Sequence, residues 1–463
     1  MIEPLYDAVA IVQNYSSDSG WRAASEGMAP RSSQPTGVPN ESRGGRGVHV
    51  RSIALLAGLA MLIAAGCNPP EPEHRPRPLV SHGDSLADSV ARTMGPTWRA
   101  ENYPFADLHG PFPRPRLADT ADTNDALSYY HLGDSLRFAR PGVADRAFYW
   151  ATRLDPTFAE AYFARWRLLR RDYRQREMPD GSIRDIFRVK PAMVAATDSL
   201  LSIAIAYSPF LDGAFDVPLS IVNMSERMAS RDPALAGLRA FGLRDYRTAV
   251  MQWSKAISQD PKQAMLRIPR AHAWVRLQEL DSAIADLTQL AQRLESVEHD
   301  SLMKAYFSKE FLYYAIGMLN GSRGRYPEAR TAFEKALAEN LGFYMAHARL
   351  SGTLVALADT ATALSELETA ILIRPDDPLV LIYDGNLLVH TGRVADGENR
   401  IRAALRADSD YALPHVFLGM AAEARHDTVS ARAQYAEYLG RAPRNAAERA
   451  WARSRLATLA GAR

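Results

Sequence analysis

The chain has 463 residues, 47% of them apolar, with 55 basic and 53 acidic side chains and a formal net charge of +2. That length and composition allow one or more domains with substantial cores. The near-balance of charge excludes the basic excess of a nucleic-acid binder. The single cysteine, Cys67, excludes an intramolecular disulfide and a thiolate zinc site.

In chain order, residues 1–49 are mixed polar sequence rich in Ser, Gly, Pro and Arg, with no helical or strand period. They read as an extension outside the fold, with Val50, Val48 or Met28 as the expected true start. Next comes an uncharged apolar run, 53–65, preceded by Arg43, Arg46 and Arg51. It is short of the ~20 residues a membrane-spanning helix needs. A basic flank, a short apolar core and small residues afterwards describe a secretory signal peptide, here 50–66. The small residues are Ala64-Ala65-Gly66, followed by Cys67. This resembles a bacterial lipobox, with Ala64 where Leu is usual. The resemblance implies that the Cys67 thiol receives a diacylglyceryl group and that the chain is cut just before it. An ordinary secretory signal with an incidental cysteine is the alternative. Asn68, in place of Asp, implies outer-membrane placement in a host with two membranes. The proline-dense stretch that follows favours extended structure, and 67–124 reads as a tether.

From 125 onward the chain has a period. The segment Arg325-Tyr-Pro-Glu-Ala-Arg-Thr-Ala-Phe-Glu-Lys-Ala336 shares its cadence with the one beginning Asp245-Tyr-Arg-Thr-Ala. Steps of 34 from Ala329 reach Ala363, Gly397 and Ala431, all small. The same step takes Phe333 to Leu367, Ile401 and Tyr435, and Gly317 to Ser351, Gly385 and Gly419. From Leu341 it reaches Pro375, Ser409 and Pro443. This register resembles the tetratricopeptide repeat, a 34-residue helix–turn–helix unit. The resemblance implies an all-α, right-handed superhelical solenoid of about eight units over 125–443. Four regular units occupy 310–443 and two occupy 230–295. Divergent units with insertions occupy 125–209. The insertions are expected near 170–191, which holds the turn signal Pro179-Asp180-Gly181, and near 296–308. A final helix in 444–463 is expected to cover the open end. Small residues such as Gly317 with Ala329, and Gly385 with Gly397, should let paired helices approach.

Gly-Asp-Ser-Leu occurs at 83–86 and 133–136 and resembles the nucleophile motif of GDSL esterases. That family needs strand context and a late Asp-x-x-His, and no histidine here has Asp three residues before it. The hydrolase reading is therefore disfavoured. His272, His347, His390, His415 and His426 fall in separate units without metal-ligand spacing. Asp376-Asp377 follows Pro375 and suits a helix N-terminus. No catalytic residue, metal or cofactor is expected.

In tetratricopeptide proteins the first helix of each unit lines a concave face. Carried onto this chain, that face holds Met265, Ile268 and His272, then Phe311, Tyr314, Met318 and Met345, then Leu379, Ile382 and Asn386, then Leu413, Val416 and Met420. The stripe is apolar and methionine-rich, and methionine adapts to varied partners. Ile382 stands where a carboxylate-clamping member has Lys, so clamping is not expected. The alternative is that these residues pack against the chain's own insertions or helices. The expected function is a non-catalytic, lipid-anchored scaffold that binds other proteins or peptides in the bacterial envelope. A glycan-binding outer-membrane nutrient-uptake lipoprotein is the alternative, weakened by the uninterrupted run of the best repeats.

Overall fold

A computed structural model describes residues 111–172, 176–177, 183–184, 191–211, 219–295 and 308–461. The extension 1–49, the signal segment 50–66, Cys67, the tether to 110 and the insertion expected at 296–308, apart from Ser308, lie outside the described residues. Two compact units divide the described chain: 111–211 with 309–461, and 219–295 with 308.

The first unit begins with α1 (Ala126–Leu136), α2 (Pro141–Leu154), α3 (Ala159–Asp172) and α4 (Pro191–Tyr207). Between α3 and α4 lies a two-residue antiparallel ladder, β1 (Arg176–Glu177) with β2 (Ile183–Arg184), which brackets the Pro179-Asp180-Gly181 signal. The second unit holds the short helices α5 (Leu219–Val222) and α6 (Glu226–Ala229), then α7 (Pro233–Gly242) and α8 (Tyr246–Gln259). A 3-10 segment (Pro261–Leu266) leads into α9 (Arg267–Arg276) and α10 (Leu280–Glu295). The first unit resumes with α11 (Lys309–Ser322), α12 (Tyr326–Glu339), α13 (Tyr344–Ala356), α14 (Thr360–Ile373), α15 (Pro378–His390) and α16 (Val394–Ala407). It ends with α17 (Pro414–Ala424), α18 (Thr428–Arg441) and α19 (Glu448–Gly461). Helices pack in sequential pairs: α1 with α2, α3 with α4, α7 with α8, α9 with α10, and so on to α17 with α18. The described residues thus form eight tetratricopeptide-type hairpins, and α19 lies against α18.

Each regular hairpin turns in the same way. The second residue after the first helix has a left-handed backbone, at φ 70° for Gly324, 62° for Ala358, 86° for Gly392 and 61° for His426. These four positions are themselves spaced by 34. The next amide reaches back to close the helix: Asp359 N–H donates to Leu354 O at 2.9 Å and Asp427 N–H to Ala422 O at 2.9 Å. This is the six-to-one bond of a Schellman motif. The same residue then starts the second helix. The carboxylates of Asp359 and Asp427 accept from Thr362 N–H at 3.2 Å and Ser430 N–H at 2.9 Å. In these two hairpins one helix end is thus closed and the next capped within two residues, whereas Arg325 and Arg393 hold the same place without a side-chain cap.

The hairpins are held by rings seated on glycines. A Cβ built on Gly317 would lie 2.6 Å from the Phe333 ring, and one on Gly133 would lie 2.6 Å from the Phe148 ring. Gly237 lies under Trp253 at 2.5 Å, and Gly419 under Tyr435. These rings are almost completely buried: Phe148 1%, Trp253 1%, Phe333 2% and Tyr435 0% exposed. Full burial of a phenylalanine contributes roughly 1.5–3 kcal/mol. Gly237, Gly317 and Gly419 thus lie opposite rings sixteen residues on, and Gly133 opposite one fifteen residues on. Gly385 and Gly397 do face each other. A Cβ on Gly385 would lie 2.8 Å from Gly397 O and 2.6 Å from Ile401 Cγ1, and one on Gly397 would strike Gly385 O.

Replacing Gly385 with Leu is expected to destabilise by about 1–3 kcal/mol, the usual range for overpacking. In hydrogen exchange the loss of protection should centre on α13–α18 and leave α7–α10 unchanged. Gly392 has no atom within 4 Å of a built Cβ, so Gly392→Ala tests the backbone alone. It should cost about 1–2 kcal/mol through the left-handed conformation, read as a lower denaturant midpoint.

Candidate partner-binding surface

In the first unit the early hairpins lie against the late ones. The link begins before α1, where Arg444 N–H donates to Asp122 Oδ2 at 2.7 Å and Asn124 Nδ2 to Gly440 O at 3.4 Å. The irregular stretch at 111–125 is itself fastened to the first hairpin. Trp150 Nε1 donates to Phe112 O at 2.9 Å, and the Arg114 guanidinium lies 4.7 Å from the Trp150 ring and 5.3 Å from that of Tyr129. Further along, Arg153 on α2 pairs with Asp408 at 2.9 Å and lies 3.7 Å from Asp410, in the turn after α16.

The end of α4 makes the deepest contact. Tyr314 O–H donates to Ala206 O. Tyr207 O–H donates to Asp377 Oδ2 at 2.9 Å, and Tyr344 O–H donates to the same oxygen at 3.1 Å. The other carboxylate oxygen accepts from Leu379 N–H at 3.0 Å and Val380 N–H at 3.1 Å. Asp377 is thus both the N-cap of α15 and the anchor for two phenols. Burial raises its pKa, and the Val380 amide and the Tyr207 phenol oppose that shift. The Tyr162 ring on α3 stacks on Tyr207 at 6.3 Å.

This packing decides where the concave stripe stands. Six of its ten positions in the first unit are buried: Tyr314, Met345, Leu379, Ile382, Leu413 and Val416, each at 2% exposure or less. Tyr314 is bonded to the end of α4, so part of the face assigned to a partner is occupied by the chain itself. Phe311, Met318, Asn386 and Met420 are partly exposed. In the second unit Ile268 and His272 are buried and Met265 is partly exposed. Burial pushes the His272 imidazole down to about 3, which holds it neutral. Sequence reasoning gave Asp377 a capping role and missed its contact with Tyr207, and it did not single out Tyr207, Arg153 or Asp408. One signal was present. Leu379, Val380, Leu381 and Ile382 are consecutive and all buried, and a helix apolar on every side is covered on every side.

Two further groups show how the inner helices carry charge. Burial lowers the His347 pKa, but Glu366 Oε2 at 2.6 Å from Nδ1 and Leu341 O at 3.0 Å from Nε2 outweigh it, so the net shift is upward. Asp384 is 1% exposed, with Arg400 Nε 2.9 Å away, and burial pushes its carboxyl up to about 6. The second Gly-Asp-Ser-Leu copy is ordinary helix. Ser135 O–H donates to Leu132 O at 2.9 Å, Asp134 pairs with Arg137, and Gly133 lies under Phe148. The copy at 83–86 lies outside the described residues.

With this geometry in view, the chain is similar to solved structures of MamA, at 16% identity over 37% of this chain and 94% of that one, TM-score 0.32. It is similar to YrrB, described as a TPR protein with an unusual peptide-binding site, at 22% identity over 43% and 97%, TM-score 0.33. It is also similar to PilW, a type IV pilus biogenesis factor, at 19% identity over 47% and 94%, TM-score 0.36. Each likeness covers less than half of this chain. No family model matches the chain, and no curated protein matches it.

The contact between α2 and the α16–α17 turn should depend on pH. Burial pushes the Asp408 carboxyl up to about 7, against the pull of Arg153 and of the Asp410 backbone N–H, while the Asp410 charge adds to the rise. Unfolded, the group titrates near ~3.9. The folded chain therefore holds this proton more tightly. The stabilisation is fully present below about pH 4 and is lost as the pH rises through about 7. Asn at 408 keeps an acceptor for Asp410 N–H, now 3.0 Å from Asp408 Oδ1, and cannot ionise. The stability of the parent relative to Asp408→Asn should fall between pH 4 and 7 and level off above, measured by thermal unfolding of both across pH. A difference that is flat throughout would refute the assignment.

Proposed function

We propose that the protein is a lipid-anchored scaffold of the bacterial cell envelope, binding other proteins or peptides and catalysing no reaction. The observation that carries the scaffold reading is the helical hairpins themselves, six in the first unit and two in the second, since stacked hairpins present side chains over an extended face. On the inner face Phe311, Met318, Asn386 and Met420 remain partly exposed. Two methionines and a phenylalanine suit adaptable apolar contacts. The four hairpins from α11 to α18 follow one another without a long insertion, which disfavours the glycan-uptake alternative.

Anchoring rests on the sequence around Cys67. Among the described residues no helix is long and apolar enough to cross a membrane. A diacylated cysteine attaches stably where a single acyl chain barely does. Outer-membrane placement follows from Asn68 if the host has two membranes.

Substituting Cys67 with Ala in the full chain, expressed in its own host, should move the protein from the membrane to the soluble fraction and abolish incorporation of labelled fatty acid. Helix content should not change. Retention of the variant as an integral membrane species would contradict the anchor. Capture from membranes of the parent beside Phe311→Asp with Met420→Asp tests the scaffold separately: partners that come with the parent should be lost with the doubly substituted chain.

A further inference from the structure

The end of the first unit carries an open groove between α18 and α19, of about 610 Å³. Its lining from α18 is Val429, Arg432, Ala433 and Ala436, and from α19 it is Arg453, Leu456, Ala457 and Ala460. Both sets fall at i, i+3, i+4 and i+7, one full face of each helix. Seven of the eight are exposed, Val429 78% so, and Leu456 is partly buried. Ala431 and Tyr435 of α18 pack with Ala422 of α17 and with Trp451, Leu456 and Leu459 of α19. Apart from Leu456, which belongs to both, the groove side chains are thus additional to those that build this core. Among the described residues every other long helix has a hairpin partner, and α19 has none. Four alanines leave room for a backbone to come close, as the small column does inside each hairpin.

Charge selects the occupant. Arg441 pairs with Glu437 and Arg455 with Glu423. Arg432 and Arg453, which line the groove, have no ion-pair partner among the described residues. Seven arginines stand against three carboxylates between 425 and 461. A second copy offering the same face would bring Arg432 and Arg453 against their own kind, and like charges across an interface repel. The chain's own apolar run at 53–65 is preceded by Arg43, Arg46 and Arg51, again the wrong sign. A concave slot between two helices also fits a third helix better than a flat lipid surface. We propose that the α18–α19 groove docks an amphipathic helix of a partner protein, with its apolar face on the alanines and its flanking carboxylates on Arg432 and Arg453. This names a partner class for the scaffold at a site away from the inner face, and it rests on the scaffold reading only in requiring a protein partner.

The test uses the full chain and two fluorescent synthetic peptides. Both have a Leu/Ala apolar face, flanked by Glu in one and by Lys in the other. Anisotropy titrations should show the Glu peptide binding at least about tenfold more tightly than the Lys peptide, a difference that shrinks with salt. Arg432→Glu combined with Arg453→Glu should reverse the preference. Ala436→Trp fills the groove at an exposed position, so it should weaken binding about tenfold or more with helix content and thermal midpoint unchanged. Equal binding of both peptides, no binding of either, or indifference to these substitutions would overturn the proposal. Dimerisation in sedimentation, or binding to anionic vesicles, that is lost in Ala436→Trp would reassign the groove to a second copy or to a membrane and overturn it equally. None of these readouts involves Cys67 or the inner face, so failure here leaves the scaffold reading standing.

Discussion

The fold depends on a steric exchange repeated along the chain: where one helix of a hairpin gives up its side chain, the other lays a ring in the space. Phe148, Trp253, Phe333 and Tyr435 each sit on a glycine. The sixteen-residue offset of Gly237, Gly317 and Gly419 from their rings also separates Ala271 from Leu287 and Ser351 from Leu367, a small residue followed by an aliphatic one. In the α15–α16 hairpin the second helix also gives up its side chain at Gly397, and Ile401 takes the place of a ring. Close packing makes such exchanges tightly constrained, because neither a void nor an extra methylene is tolerated cheaply. Helix spacing within a hairpin is therefore fixed by pairs of residues. Spacing between hairpins follows from it, and so does the position of each first helix on the inner face.

That inner face is only partly open. In the first unit α4 ends against α11, α13 and α15 through Tyr314, Tyr344 and Asp377. A carboxylate holding two backbone amides and two phenols is fully used, and such satisfied buried networks fix one arrangement. Arg153 and Asp408 make a second fastening, and Asp122 with Arg444 a third. The early hairpins thus hold the late ones in place. A partner docking on this face, as proposed, would meet the residues they leave uncovered.

The hairpins were legible in the sequence because their logic is local. Small and large columns 34 residues apart need only one unit and its neighbour to be meaningful. The exact pairing within a hairpin was less legible. Counting columns does not say which small residue faces which large one, and the seat of Phe333 on Gly317 is visible only in the structure. The contact of α4 with the inner face was not legible at all. Tyr207 and Asp377 are 170 residues apart, and Arg153 and Ala407 are 254 apart. No period connects such pairs. The wholly apolar start of α15 was the one available hint. The face of α19 at Arg453, Leu456, Ala457 and Ala460 has readable spacing too, yet a helix expected to close the end leaves a groove there.

On the proposed scaffold reading, architecture and partner contacts fall largely on separate residues: the paired columns set helix spacing, while Phe311, Met420 and the α18–α19 groove would meet partners. The central claim, that ring and glycine act as one unit, is tested most directly by a double-mutant cycle on Gly317→Ala and Phe333→Leu. The double variant recreates the Ala–Leu combination that Ala271 and Leu287 already provide elsewhere in the chain. Each single change should destabilise, the first by overpacking and the second by leaving a void. The double variant should be more stable than their sum by at least about 0.5 kcal/mol, as expected for residues in contact. Additivity within about 0.3 kcal/mol would show that the two positions are independent and would contradict this account of the hairpin.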